Sequence, residues 1–134
     1  SRGSLLPALI KSLKTERMAY LTDSAMTRFW IPIDIAKNFV FEVGMCPIMT
    51  GIITPKDIKS AYVSQLIEAV ANILKIKNYD VEDISIRAGE KIDETLSTKY
   101  ETENGKDICS NNNNLLMTKQ ELETMLLPLI LSQP

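Results

Sequence analysis

The apolar residues of this chain recur at two alternating spacings, and this alternation limits the fold to a mixed α/β class. Leucine and isoleucine side chains in residues 5–16 are three or four positions apart, as on one face of a helix, and a short β-rich run covers 18–22. A second β-rich run at 48–54 stops at Pro55, and another helical pattern starts at Ser60. Because strands followed by helices are typical of α/β proteins, we expect helices with a few short strands.

Start and stop signals predict two further helices. Pro32 and Asp34 open a helix whose apolar face we expect to be ordinary core, and Gly44 is suited to end it in the left-handed conformation. Thr118 and Glu121 form a capping box for a terminal helix over 118–128, which Pro128 should end or kink. The apolar face of the earlier helix comprises Ile35, Ala36, Phe39, Val40 and Val43.

Two segments are expected to lie outside the helices. Residues 81–87 form an extended run that delivers Arg87 at its end, where Gly89 permits a sharp turn. Residues 97–114 are polar, end in an asparagine run and lack periodicity, so they are predicted to be a mobile loop. With 134 residues and a hydrophobic content of 45%, the whole chain from 1 to 134 is expected to form one domain.

Composition argues against several classes of function. The chain has 15 basic and 17 acidic residues, so no basic face is expected to attract nucleic acid. No apolar stretch reaches the roughly 20 residues that span a bilayer, so we expect no membrane partner. Cys46 and Cys109 lie far apart in a chain without histidine, which excludes the usual zinc site and the commonest general base. A reducing, cytoplasmic location is the simplest interpretation.

The chain also lacks the sequence patterns of a cofactor site and of a catalytic centre. Its 5 glycines are too widely separated to form a dinucleotide or P-loop fingerprint. None of its 4 tyrosines is followed four positions later by the lysine that would lower the pKa of the phenol for proton transfer. We therefore predict no catalytic residue and no metal ligand in this chain.

Two arginines are candidates for binding an anion. Arg28 stands beside Phe29 and Trp30 and could grip a phosphate with two parallel hydrogen bonds. It could equally pair with a nearby carboxylate while the aromatic residues pack in the core. Arg87 and Glu90 suit a diphosphate and a sugar hydroxyl, respectively, or they form a solvated charged turn.

The first four residues, Ser1-Arg2-Gly3-Ser4, read as the middle of a loop rather than as a natural start, so we expect a fragment. Arg2 and Gly3 could approach a phosphate together with the backbone N–H groups at the start of the first helix.

Three segments agree in order and spacing with the motifs of a known family. They are residues 1–4, the run from Leu21 to Trp30 and the run from Ile86 to Glu94. Together they resemble the C-terminal half of the inverting UDP-N-acetylglucosamine 4,6-dehydratases, extended short-chain dehydrogenase/reductases of the polysaccharide-biosynthesis group. Residues 52–56 look like the last Rossmann strand of that family and the Pro-Lys that follows it. The chain departs from the pattern where Ala88 replaces a usual proline, where Ile92-Asp93 replaces Leu-His, and where residues 97–108 form a shorter loop.

The resemblance implies the fold of the C-terminal substrate-binding region of such an enzyme, without its Rossmann half. Carried over residue by residue, the family's pattern assigns Ser1 and Arg2 to the cofactor side, Leu5, Thr22, Arg87 and Glu90 to the UDP-sugar, and Arg28 to a supporting position in the same pocket.

The implied reaction converts UDP-N-acetylglucosamine to a 4-keto-6-deoxy sugar, with inversion at C5 and a recycled NADP, for surface polysaccharide or glycan biosynthesis. The cofactor loop and the catalytic Tyr-x-x-x-Lys lie upstream in the family, so this chain alone is expected to be inactive. Its expected partners are the UDP-sugar, its own N-terminal Rossmann half and further copies in a homo-oligomer. The alternatives are a nucleotide-sugar epimerase of the same superfamily and a truncated, non-catalytic paralogue that acts in oligomerisation.

Overall fold

A computed structural model describes residues 5–46, 52–55, 58–86, 88–102 and 105–131. Within these ranges the chain forms four helices and six short strands, which confirms the predicted α/β class. The elements are α1 (Leu5–Thr15), β1 (Met18–Leu21), β2 (Thr27–Trp30), α2 (Ile33–Gly44), β3 (Lys59–Tyr62), α3 (Val63–Ile73), β4 (Asp80–Asp83), β5 (Thr95–Ser97), β6 (Ile108–Cys109) and α4 (Lys119–Leu131).

The chain divides into two compact units. The first unit comprises residues 1–26, 62–92 and 117–134, and the second comprises 27–61 and 93–116. The first unit thus contains α1, β1, α3, β4 and α4, whereas α2, β2, β5, β6 and most of β3 belong to the second.

The core of the first unit is formed by the predicted helical faces. Four α1 side chains are buried, and α3 packs against α4. Leu66 and Val70 of α3 and Leu122 and Leu126 of α4 are completely buried, as the helical spacing of these residues predicts. The buried α1 side chains are Leu6, Leu9, Ile10 and Leu13.

Strands β1 and β4 form a parallel pair in the first unit, in register from Met18 with Asp80 to Leu21 with Asp83. A tight turn at Arg17, with φ of 55°, joins α1 to β1. The Ser12 hydroxyl donates a hydrogen bond to the Met18 carbonyl and so ties the end of the helix to the start of the strand. The predicted strand over 18–22 is confirmed to within one residue.

The predicted strand over 48–54 is not found where the structure describes this segment. Residues 47–51 lie outside the described residues, and residues 52–55 have no regular structure. The strand that precedes α3 is β3, which pairs with β2. The Ser60 amide of β3 donates to the Leu115 carbonyl at 2.8 Å, so the backbone of this polar strand is held by a partner that is distant in sequence.

Helix α2 forms where it was predicted, but the prediction that its apolar face belongs to the core is wrong. All of its residues lie in the described part of the chain, and none of them is buried. Val40 and Phe41 are each 68% exposed. Helical periodicity identifies a face that suits burial, but it carries no information about whether another element covers that face.

The end of α2 also differs from the prediction. Gly44 is the last helical residue, and Met45, with φ of −87°, closes the helix in the right-handed region. The Met45 amide still donates to the Phe41 carbonyl at 3.0 Å. Because helical hydrogen bonding continues past Gly44, no left-handed residue is needed there.

The terminal helix is longer than predicted. The capping box at its start is confirmed, because the Thr118 amide and hydroxyl donate to Glu121 Oε2 at 2.8 and 2.9 Å and the Glu121 amide donates to Thr118 Oγ1 at 3.3 Å. Pro128 does not end α4, which continues to Leu131. Burial of Leu126 and Ile130 on either side of the proline compensates for the helical hydrogen bond that proline cannot donate.

Residues 97–114, predicted as a mobile loop, contain Ser97 of β5 and the whole of β6. The two strands pair antiparallel, with Thr95 opposite Cys109 and an irregularity before Ser97. The pairing uses backbone hydrogen bonds, so it forms in a segment whose polar side chains give no strand signal.

Candidate functional site

The parallel pairing of β1 and β4 brings two of the predicted binding segments to one edge of the first unit. Leu21 and Asp83 are the last register partners, and the Ile84 amide donates to the Leu21 carbonyl at 2.9 Å. Thr22 directly follows β1, and residues 84–90 follow β4. Because parallel strands end at the same edge of a sheet, both segments leave from that edge, where ligands of α/β proteins gather.

The turn after Thr22 is well ordered by its own hydrogen bonds. The Asp23 carboxylate accepts the Ala25 amide at 2.7 Å, and the Asp23 carbonyl accepts the Met26 amide at 3.1 Å. The Met26 carbonyl in turn accepts the amide of Val63, the first residue of α3, at 2.9 Å. The turn predicted at Asp23-Ser24 is therefore present and is held at the start of α3.

Leu5, at the start of α1, lines a small, mainly apolar cavity of about 100 Å³. Tyr20 also lines this cavity. Leu5 is 41% exposed. Ligand sites usually measure about 300–1,000 Å³, so this cavity can form only part of one. The Tyr20 hydroxyl donates to Glu16 Oε2 at 3.2 Å, and this hydrogen bond, together with the charge of Glu16, raises the pKa of the phenol.

Arg87 itself lies outside the described residues. Of the extended run predicted over 81–87, strand β4 includes residues up to Asp83, and residues 84–86 have no regular structure. The pairing stops there because the partner strand β1 ends at Leu21. The sharp turn predicted at Gly89 is confirmed by its φ of 86°, and Glu90 follows this turn half-buried.

Arg28, in the second unit, is held by groups of the protein. Its Nη1 donates to the Thr27 carbonyl at 2.7 Å, and its Nε lies 3.8 Å from Glu94 Oε1. The other oxygen of Glu94 accepts the Phe29 amide at 2.8 Å, and the Arg28 side chain is only 19% exposed. Pairing of Arg28 with a carboxylate, one of the two interpretations of the sequence, is present, and binding of a phosphate by Arg28 stays a prediction. The supporting role of Arg28 in a substrate pocket stays a prediction.

The other predicted site residues are distributed as follows. Leu5, Thr22 and Glu90 all belong to the first unit. Ser1 and Arg2, predicted on the cofactor side, lie outside the described residues, as Arg87 does. Contact of these six residues with a sugar nucleotide or a cofactor stays a prediction.

Sequence reasoning missed a cluster of polar side chains in the second unit. Thr27 and Ser110 are completely buried, and their hydroxyl oxygens lie 2.6 Å apart. Thr27 Oγ1 also donates to Asp93 Oδ1 at 2.6 Å. Small hydroxyl residues have no periodic signal, and these two are 83 positions apart in sequence. The departure from the resembled family at Asp93 was the one available indication.

The fold has a close counterpart among solved structures, the X-ray structure of Pen from Bacillus thuringiensis, with a TM-score of 0.79 and 22% sequence identity. The match covers 98% of this chain and 47% of that one, so the chain spans about half the length of the protein it matches. At this level of sequence identity the match shows that the two proteins share an α/β fold.

Residues 1–114 match the family model described as polysaccharide biosynthesis protein. The chain belongs to the polysaccharide biosynthesis protein family. In the ranges that the structure describes, every helix is too short or too polar to cross a membrane.

Proposed function

We propose that this chain is the substrate-binding part of an NADP-dependent nucleotide-sugar 4,6-dehydratase that acts on UDP-N-acetylglucosamine in polysaccharide biosynthesis. The family match supports the biosynthetic role. The substrate and the reaction rest on the resemblance of the motifs at 21–30 and 86–94 to the inverting dehydratases.

The observation that carries the proposal is the parallel register of β1 with β4. It puts the ordered turn after Thr22 and the segment that leads to Glu90 at the same strand edge, 62 positions apart in the register. A sugar nucleotide needs groups from several chain segments to contact its sugar, diphosphate and base. Two such segments meet at this edge.

In the proposed complex, Arg87 binds the diphosphate through paired hydrogen bonds, and Glu90 accepts a hydrogen bond from a sugar or ribose hydroxyl. Leu5 and Thr22 contact other parts of the UDP-sugar.

NADP would supply the hydride chemistry of the reaction, between C4 and C6 of the sugar. Its binding is proposed to depend mainly on the N-terminal Rossmann half, with Ser1 and Arg2 on the cofactor side. In this proposal the chain binds the substrate, and the acid–base residues belong to the N-terminal half.

Calorimetric titration of UDP into the full-length protein tests the site. Arg87→Ala should raise the Kd for UDP by about tenfold or more, since it removes a charge-assisted pair of hydrogen bonds, and Glu90→Gln should weaken binding of the UDP-sugar. Lys37→Ala and Glu42→Gln on α2 make the same changes of charge at residues that are not assigned to the site, and they should leave both Kd values unchanged. Wild-type affinity in both Arg87→Ala and Glu90→Gln would exclude the assigned site.

Product analysis by NMR distinguishes the dehydratase from a nucleotide-sugar epimerase of the same superfamily. A 4-keto-6-deoxy product from UDP-N-acetylglucosamine supports the dehydratase, whereas an epimer that retains its 6-hydroxyl supports the alternative.

One observation favours a second function, a non-catalytic role in oligomerisation. The apolar side chains of α2 are solvent-exposed, as at a contact surface. In that case Val40→Glu should lower the molar mass measured by light scattering, and the full-length protein should yield no 4-keto-6-deoxy product.

A further inference from the structure

The buried cluster in the second unit holds the chain directly after the segment that carries Glu90. The cluster consists of Thr27 at the start of β2, Asp93 in the connection to β5, and Ser110 directly after β6. Asn111 also bonds to the cluster: its Nδ2 donates to Asp93 Oδ2 at 2.9 Å. Both carboxylate oxygens of Asp93 therefore have a hydrogen-bond partner.

The hydrogen bonds of the cluster run in one direction. An ionised carboxylate only accepts, so the Thr27 hydroxyl donates its proton to Asp93 at 2.6 Å. The Ser110 hydroxyl then has two acceptors on Thr27, the hydroxyl oxygen at 2.6 Å and the carbonyl at 3.3 Å, and Ser110 Oγ accepts the backbone amide of Glu94 at 2.8 Å. Thr27 and Ser110 are completely buried and Asp93 is half-buried, and a chain of such hydrogen bonds that ends on a charge is mutually strengthened.

Glu94 is fixed as firmly as Asp93. Its carbonyl accepts the Ser110 amide at 2.9 Å, and its carboxylate accepts the Phe29 amide at 2.8 Å. Asp93 is thus bonded through its side chain, and Glu94 through both backbone and side chain, to residues of β2 and to residues directly after β6.

This anchor lies only three residues after Glu90. The same segment is anchored upstream, where the Ile84 amide bonds to Leu21 at the end of β1. Between these points lie residues 85–92, which include the turn at Gly89 with its φ of 86°. Because only two residues separate Glu90 from Asp93 in sequence, an ordered Asp93 limits the number of backbone conformations open to Glu90.

We infer that Thr27, Asp93 and Ser110 are positioning residues that fix the downstream end of the segment carrying Glu90, and thereby set the affinity of the site for the nucleotide sugar. The choice of ligand rests on the proposed function, whereas the anchoring itself does not.

Hydrogen–deuterium exchange on the full-length protein tests the anchoring without any ligand. Thr27→Val keeps the shape of the side chain but removes the hydroxyl, and amides in residues 85–92 should then exchange about tenfold faster through local opening. Thr27→Ser keeps the hydroxyl and should restore the wild-type rate. Thr124→Val is the matched control, since it removes an exposed hydroxyl that donates to the Gln120 carbonyl in α4. The amides of α3 should be unaffected in all three variants.

Two results would overturn the inference. One is unchanged exchange of residues 85–92 in Thr27→Val. The other is an equal acceleration in 85–92, α3 and α4, which would show a purely structural role. If Thr27→Val does not fold, Ser110→Ala removes the preceding donor in the same chain of hydrogen bonds and is judged by the same two criteria.

The affinity part is tested by kinetics. Thr27→Val should raise the KM for the UDP-sugar by about tenfold with little change in kcat, because it removes binding common to the ground and transition states. An unchanged KM together with faster exchange would overturn the link between the anchor and affinity. Failure of the wild-type protein to bind UDP would instead exclude the proposed function, while the exchange experiment would still decide the anchoring.

Discussion

Leu21 and Asp83 are the last register partners of the parallel strands β1 and β4, and the chain leaves both strands at the same edge. Their pairing closes a loop that contains β2, α2, β3 and α3. The edge therefore combines segments that are distant in sequence, and its geometry depends on the packing of α1 and α3 against β1. Stability of this packing is accordingly a condition for binding at the edge.

Alanine substitutions at two glycines should change the free energy of unfolding with opposite signs. Gly89 has a φ of 86°, and a Cβ there would meet nothing within 4 Å, so Gly89→Ala should cost about 1–2 kcal/mol through backbone strain alone. Gly44 ends α2 in open space, and Gly44→Ala should stabilise by about 0.4–1 kcal/mol by restricting the unfolded chain. Urea unfolding measures both values, and shifts of the same sign would contradict the two backbone conformations.

The capping box of α4 should be worth more than an exposed hydroxyl within the same helix. Thr118→Ala removes the hydroxyl that bonds to both the carboxylate and the amide of Glu121, and should destabilise the helix by about 1 kcal/mol. Native-state hydrogen exchange of the first-turn amides measures this loss. Thr124→Ala is the control and should leave those amides unchanged; equal effects of the two substitutions would argue against the cap.

Two leucines of α4 differ in burial, so the same substitution at both measures the effect of burial alone. Leu122 is 0% exposed and Leu127 is 46% exposed. Leu122→Ala should cost about 2–5 kcal/mol, because it leaves a cavity against α3, whereas Leu127→Ala should stay within about 0.5 kcal/mol. Thermal unfolding compares them directly. A loss at Leu127 as large as that at Leu122 would show that this face of α4 is covered in the full-length protein.

The stability of the segment between β5 and β6 should decrease at acid pH because of Glu101. The amide and the hydroxyl of Thr98 both donate to Glu101 Oε2 at 2.8 Å, and these bonds lower the pKa of the carboxyl group. A lowered folded-state pKa means that the stabilisation is complete above the unfolded-state value and is lost as pH falls through the folded-state value. NMR titration of the Glu101 carboxyl carbon gives the pKa directly.

Thr98→Ala provides the check on this cause. Without the hydroxyl, the pKa of Glu101 should move upward toward its ordinary value. An unchanged pKa in Thr98→Ala would assign the shift to the backbone amide alone.

Sequence patterns predicted best those elements whose stability depends on their own buried face. Helices α1, α3 and α4 follow from the spacing of residues such as Leu13, Leu66 and Leu122, each completely buried. The spacing in α2 predicts the helix equally well but not its exposure, which depends on what else contacts Phe41. Strand β3 was missed because Lys59–Tyr62 has no alternation and is held by the distant Leu115 carbonyl.

The candidate site was predictable only in part, for a related physical reason. Turn chemistry is local, so Asp23 and Gly89 could be placed from their neighbours in sequence. The partners of Arg28 and Thr27 lie on residues 93–94 and 110, and short-range patterns do not contain such pairings. Motif resemblance named Thr22 and Glu90, and the β1–β4 register then provided a geometric reason for grouping the segments that carry them.

The two units are interleaved along the chain, which passes from one to the other at residues 26–27, 61–62, 92–93 and 116–117. On the ribosome, α1 and α3 therefore emerge long before α4, which buries the second side of α3. At usual rates of synthesis, the delay between Leu13 and Leu122 is on the order of ten seconds. During that interval the apolar face of α3 remains incompletely covered, so the nascent chain should be a substrate for chaperones until α4 has been made.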